Sequence, residues 1–147
     1  MAIGLLAGLI LYPLLGQTWY IFIPLVILGS LLPDVDHQNS KINRILPITR
    51  WIPKVFEHRG FFHSIFPAII MYTALYYGGL EYIGLPLTVG YLSHLASDCM
   101  TRLGCNLLHP VSHFRIQGPI ITDGLMEIIT LASVFLINAL LIIKHVF

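Results

Sequence analysis

The stretch MAIGLLAGLILYPLLGQTWYIFIPLVILGSLLPDVDH, residues 1–37, decides how this chain is organised. Residues 2–33 are apolar and nearly uncharged, yet Pro13, Gly16, Gln17 and Pro24 interrupt them, which argues against one straight helix. The reading is a helical hairpin turning near Gly16 to Thr18. Each arm has roughly 14 residues, about 21 Å of helix, against a hydrocarbon core of ~30 Å, so the hairpin tilts, distorts its surroundings or only dips in. In each case its two ends return to one side. There the apolar run stops abruptly at Asp34, Asp36 and His37.

Composition sets the solvent. Of 147 residues 56% are hydrophobic and 10% charged, with mean hydropathy +0.82, whereas charged residues make up about 25% of an ordinary soluble domain. This is the composition of a membrane protein. A net charge of +1 with no basic stripe leaves nothing to neutralise a run of phosphates, so nucleic acid is not an expected partner. Cys99 and Cys105, six apart, are able to pair but read more readily as free thiols, and no role is assigned to them. The first residues carry neither Lys nor Arg, and the N-terminus reads as part of the mature fold rather than a signal peptide.

Beyond the hairpin, residues 61–80 and 82–100 are two longer apolar stretches joined at YYGGLEY, and residues 122–146 form a third. Backbone groups left unpaired against lipid are untenable, so the expected fold is all-α: a single membrane-embedded domain, a polytopic bundle of about five hydrophobic helices. Seven of the eight basic residues fall in two loops, Lys41, Arg44, Arg50, Lys54 and Arg59 in 34–60, and Arg102 and Arg115 in 101–121. Those loops share one side if the hairpin holds, and the positive-inside tendency makes it cytoplasmic. The segment KINRILPITRWIPKVFEH mixes basic and apolar residues between prolines and reads as an amphipathic piece along the headgroups. No internal repeat of the transporter kind is present.

In this topology four polar clusters meet at one depth. Asp34, Asp36 and His37 end the hairpin, His58, Arg59 and His63 begin the next helix, His94 and Asp98 close the one after, and Asp123 and Glu127 open the last. Five of the seven acidic residues and four of the seven histidines thus share a layer. Ionisable groups near lipid cost several kcal/mol unless paired or bound to metal. His94 and Asp98 are four apart and so share a helix face, as do Asp123 and Glu127. Asp34 and Asp36 point the same way if the chain is extended there, and His58 and His63 converge only across a bend at Gly60. Imidazole mixed with carboxylate suits zinc first, manganese or iron as alternatives, and seven ligands suffice for two or three ions. Taken singly, each cluster has a plainer reading: a loop after a helix, a basic flank, a polar pair between helices, or, for Asp123, a cap favoured by the helix dipole. His109, His113 and His145 read as ordinary interfacial histidines.

LLPDVDH, HRGFFHS and GYLSHLASDCMTRLGCNLLHP resemble, in order and approximate spacing, the YdjM-like family of prokaryotic membrane proteins, described as predicted membrane-bound metal-dependent hydrolases. The resemblance runs from about residue 29 to about residue 127. It implies that Asp34, Asp36, His37, His58, His63, His94 and Asp98 are metal ligands, and Pro110, Arg115 and Glu127 also match the pattern. Two departures stand out: members often carry a histidine near the start of the first helix, absent from MAIGLLAGLI, and the motif commonly reads HRGFTHS, where this chain has Phe62.

The functional expectation is a metal-dependent hydrolase of the inner membrane, its site facing the cytoplasm. A bound water of lowered pKa would serve as nucleophile. Arg59, with Arg102 or Arg115, would hold an anionic group, and Glu127 would carry a proton. Membrane lipid is then both environment and substrate, as a lipid or polyprenyl phosphoester. Two rivals remain. An ion transporter needs ionisable residues at several depths, and the middle of each apolar stretch holds none. A scaffold or regulatory partner needs metal only as a staple between helices. Neither the oligomeric state nor the metal is readable from the residues.

Overall fold

The computed structural model describes residues 1–36 and 60–146. His37, His58, Arg59 and the amphipathic segment of residues 41–58 lie outside the described residues. Among the described residues there are five α-helices: α1 Ala2–Leu14, α2 Trp19–Gly29, α3 Phe66–Tyr77, α4 Glu81–Cys99 and α5 Leu125–Val146. Short 3-10 turns, Pro33–Asp36 and Phe61–His63, follow α2 and precede α3. Among the described residues there is no strand; residues 101–120 double back on themselves through two isolated bridges, Thr101 to Ile120 and Cys105 to Ile116.

The hairpin forms where it was expected. Gly16 takes a positive φ of 64° between α1 and α2, a conformation that costs an L side chain about 1 kcal/mol or more and that glycine adopts freely. Its two ends do return together: a Cβ built on Gly4, near the start of α1, would lie 2.9 Å from Ser30 Cβ, just past the end of α2. α1, α2 and α4 pack mutually, α3 lies on α4, and α5 on α1.

The tightest joint is between α2 and α4. A Cβ on Gly29 would sit 2.2 Å from the carbonyl oxygen of Leu87, and one on Gly90 only 2.0 Å from that of Val26. The two helices therefore cross backbone on backbone, as small residues permit in apolar surroundings. One residue beyond Gly29 is Ser30 and one turn beyond Gly90 is His94. The crossing itself brings those two side by side.

Below it Ala68, Tyr91 and Leu95 form a buried cluster, with Leu32, Met71 and Leu107 packed on it. A smaller cluster, Leu31 and Val35, is covered by Leu32 and Phe62. Where the resemblance led to a threonine, Phe62 is thus a packing residue, and its carbonyl oxygen accepts the Tyr91 hydroxyl.

Two expectations need amendment. Of the five helices, Leu125–His145 is the stretch long and apolar enough to cross a bilayer, with 6% of its apolar window buried inside the chain; Ala2–Leu14, Trp19–Gly29 and Phe66–Tyr77 are apolar but shorter. The stretch 61–80 yields a helix of only 12 residues, because residues 61–63 form a 3-10 turn. The second concerns the cysteines: Cys99 and Cys105 are joined in a disulfide, Cα to Cα 5.2 Å, the loop between them turning back against α4. Cys105 is 2% exposed.

Candidate metal centre

Three separated pieces of chain deliver the site. The Pro33–Asp36 turn carries Asp34, the Phe61–His63 turn carries His63, and the last two turns of α4 carry His94 and Asp98. Asp34 Oδ1 lies 3.9 Å from His63 Nε2 and 3.6 Å from His94 Nε2. Asp98 Oδ2 lies 3.4 Å and 3.6 Å from the same two nitrogens. Asp34, His63 and His94 offer ligand atoms that all lie within 4.8 Å of one another. Four donors around a zinc ion at ~2.1 Å stand about 3.4 Å apart along a tetrahedral edge, so the imidazole to carboxylate spacings are those a metal site requires.

The orientation of His94 is decided by its second nitrogen. His94 Nδ1 is 2.8 Å from the carbonyl oxygen of Ser30. A carbonyl only accepts, so Nδ1 carries a proton, and Nε2 is the nitrogen that faces the two carboxylates and that a metal would take. Such a backbone partner is the usual orienting contact of a metal-binding histidine. Its source is the glycine crossing of α2 and α4.

His63 is seated differently. Its 3-10 turn is held by His63 N–H to Gly60 O and Ser64 Oγ–H to Phe61 O, at 3.1 and 2.7 Å, and by the Tyr91 hydroxyl on the intervening carbonyl of Phe62. The two imidazoles stack edge to face, centroids 5.6 Å apart. Burial is graded across the group: His63 is 2% exposed, His94 12%, Asp98 18% and Asp34 39%. The site is closed behind His63 and open beside Asp34. Two imidazoles with two carboxylates, one side accessible, are a donor set that fits zinc, manganese or iron.

Of the remaining expected residues, Asp36 belongs to the Pro33–Asp36 turn, and His37, His58 and Arg59 lie outside the described residues, so a second or third ion finds no support among the described ones. Glu127 lines a cavity together with Asp98, while its Oε2 accepts the backbone N–H of Asp123 at 2.6 Å, closing the start of α5 as a cap. Asp123 enters by its backbone, at φ 62°. Arg102 and Arg115 are exposed on residues 101–120, Arg115 Nη1 donating to Leu103 O at 3.4 Å, and neither lines that cavity. Ser30 and Tyr91 escaped the sequence reading because neither carries a charge at neutral pH. The available signal was the pair of glycines, each shortly before a polar residue on its helix.

A family model described as YdjM inner membrane protein matches residues 1–146. The inner membrane protein YdjM of Escherichia coli strain K12 is 35% identical over 119 residues, 76% of this chain and 60% of that protein, and its namesake in Shigella flexneri matches equally. An uncharacterized protein of Bacillus subtilis strain 168, YvsG, is 37% identical over 113 residues, 74% of this chain and 69% of its own. The chain thus spans about 60% of the length of the enterobacterial relatives. No solved structure matches it.

Proposed function

The chain belongs to the YdjM inner membrane protein family, and we propose that it is a multi-pass, metal-dependent hydrolase of the inner membrane acting at headgroup level on a phosphoester of a lipid or polyprenyl substrate. One observation carries the reading: each of two imidazole Nε2 atoms stands 3.4 to 3.9 Å from each of two carboxylate oxygens, the four coming from three distant segments, with His94 Nδ1 held on the Ser30 carbonyl. Ionisable groups brought together in so apolar a chain would cost several kcal/mol without a cation to share.

When bound, a zinc-like ion supplies Lewis acidity and a water whose pKa falls toward ~7. Asp34, His63, His94 and Asp98 would hold it. His63, deep behind the others, keeps water out on the closed side, and the open side at Asp34 leaves room for substrate. Hydrolysis adds the elements of water across the ester: the hydroxide oxygen joins phosphorus, and the proton goes to the leaving alkoxide. Arg102 and Arg115 lie on residues 101–120, and their guanidinium groups, with that of Arg59 from the sequence reading, would pair with phosphate oxygens. The bias of Lys and Arg toward this end supports a cytoplasmic orientation.

The test is elemental analysis of the full chain purified without added metal, followed by phosphate or headgroup release from mixed lipid vesicles. About one equivalent of zinc or manganese, with turnover lost in Asp98→Ala, supports the proposal; a protein that binds no divalent ion refutes it. Because the donors come from three separate segments, an ion would also tie them together. A metal-stapled scaffold is the second reading, favoured if stripping metal unfolds the protein and no lipid phosphoester is ever turned over.

A further inference from the structure

Beside the four donors, on the flank of Asp98 toward α5, lies a cavity of about 260 Å3 between the starts of α1 and α5 and the end of α4. Its polar lining is Ser97, Asp98, Thr101, Thr122, Glu127 and Thr130; no Lys or Arg lines it. That lining is unusual in what it has already spent. Ser97 Oγ donates to His94 O at 2.7 Å, Thr101 Oγ1 to Asp98 O at 2.8 Å, and Thr130 Oγ1 to Met126 O at 2.7 Å. A hydroxyl has one proton and two lone pairs, so these three groups have committed their donors to their own helices and offer the cavity only acceptor capacity. Glu127 takes the Asp123 N–H on Oε2 and has Oε1 as a further acceptor. An anionic group entering here meets two carboxylates and three hydroxyls whose protons are committed, Thr122 being the one hydroxyl of the wall not held in this way.

We propose that this cavity selects the primary ammonium of the substrate headgroup, so that the ester hydrolysed is that of an amino alcohol, with phosphate at the metal-binding donors and ammonium between Asp98 and Glu127. The proposal rests on the hydrolase reading for the phosphate half alone. Three N–H donors of an –NH3+ group match an acceptor-rich wall. A quaternary ammonium would call for aromatic faces, and no aromatic residue lines the cavity. Glu127 then binds and orients substrate instead of carrying the proton expected of it from sequence, and Thr101 and Thr130 complete the acceptor wall.

The experiment is calorimetric titration of the full chain, zinc-loaded in detergent, with O-phosphoethanolamine and with ethyl phosphate, the same ester lacking the ammonium. O-phosphoethanolamine should bind about 10-fold more tightly, a single charge-assisted contact being worth roughly that. In Glu127→Gln, which keeps an oxygen for the Asp123 N–H and so keeps the fold, the ratio should fall to about 2 or less, with zinc content and ethyl phosphate affinity unchanged. Equal binding of the two esters by the unaltered protein overturns the proposal, as does a preference that survives Glu127→Gln. Zinc content, read separately, tests the metal centre: if no zinc binds, ethanolammonium chloride alone should still bind the unaltered protein and not Glu127→Gln, and failure there sinks the ammonium site. A short-chain phosphatidylethanolamine bound more tightly than O-phosphoethanolamine assigns the lipid form, and equal affinity a soluble ester, either one in support of the ammonium site.

Discussion

At one end of the bundle, Ser30, His94 and Gly90 are pressed together by a backbone contact that tolerates no Cβ, and two histidines and two aspartates converge beneath it. At the other end, Leu5, Leu9, Tyr12, Trp19, Ile23, Ile142 and His145 border a larger cavity of about 490 Å3, apolar but for His145 and Tyr12, whose rings meet edge to face at 5.0 Å. The same helices α1 and α2 serve both ends. The difference teaches where precision is needed. An apolar cavity tolerates loose walls, whereas donors that share an ion must be held to within about 0.5 Å.

The comparison breaks most readily at the donors. Replacing His94 by Ala should weaken zinc binding by more than ~100-fold, since both the ligand and the atom oriented by Ser30 are lost; His145→Ala at the opposite end should leave zinc content as it is, and elemental analysis of the two purified variants decides. Next is the crossing. Gly90→Val should cost ~3 kcal/mol or more, because the obstruction is the carbonyl of Val26 and not a side chain that can turn away, while Gly16→Ala in the far loop should cost only about 1 kcal/mol; thermal unfolding in detergent would measure both, and equal losses would dissolve the distinction between the two ends.

The disulfide sharpens the orientation of the site. Cys99→Ser should lower stability by about 2 kcal/mol in oxidising buffer and by nearly nothing under reductant. Disulfides persist in the periplasm and are rare in the cytosol, while the expectation from the basic residues of the sequence puts the same end in the cytoplasm. Labelling of Cys99 and Cys105 in intact cells with a membrane-impermeant maleimide, before and after reduction, decides between them: free thiols labelled only after permeabilisation support the cytoplasmic side. The smallest effect is expected from Tyr91→Phe, which removes the hydroxyl on the Phe62 carbonyl: about 1 kcal/mol of stability and a few-fold loss of zinc affinity through a less fixed His63. Tyr12→Phe should alter neither.

Much of this was legible before any coordinates. The interruption at Gly16 placed the turn of the hairpin, Pro13 and Pro24 being carried inside α1 and α2, and the position of Asp34 directly after an apolar run, together with His94 and Asp98 one helical turn apart, marked three of the donors. What could not be read was which members of a seven-residue set meet. Spacing along a helix reports a face, but the convergence of Asp34, His63 and His94 depends on where three segments far apart in sequence cross. Nor did spacing indicate that Cys99 and Cys105 pair, because a separation of six is compatible with either state.

By itself the sequence determined the medium, an apolar one, and the depth at which its ionisable groups would lie, because hydrophobic burial and the penalty on buried charge act residue by residue. The tertiary structure alone decided the partners: that Gly29 and Gly90 let two backbones touch, that Ser30 thereby orients His94, and that Glu127 and Asp98 face one cavity. Those outcomes depend on distances of a few tenths of an ångström between segments, a quantity to which neither composition nor periodicity is sensitive.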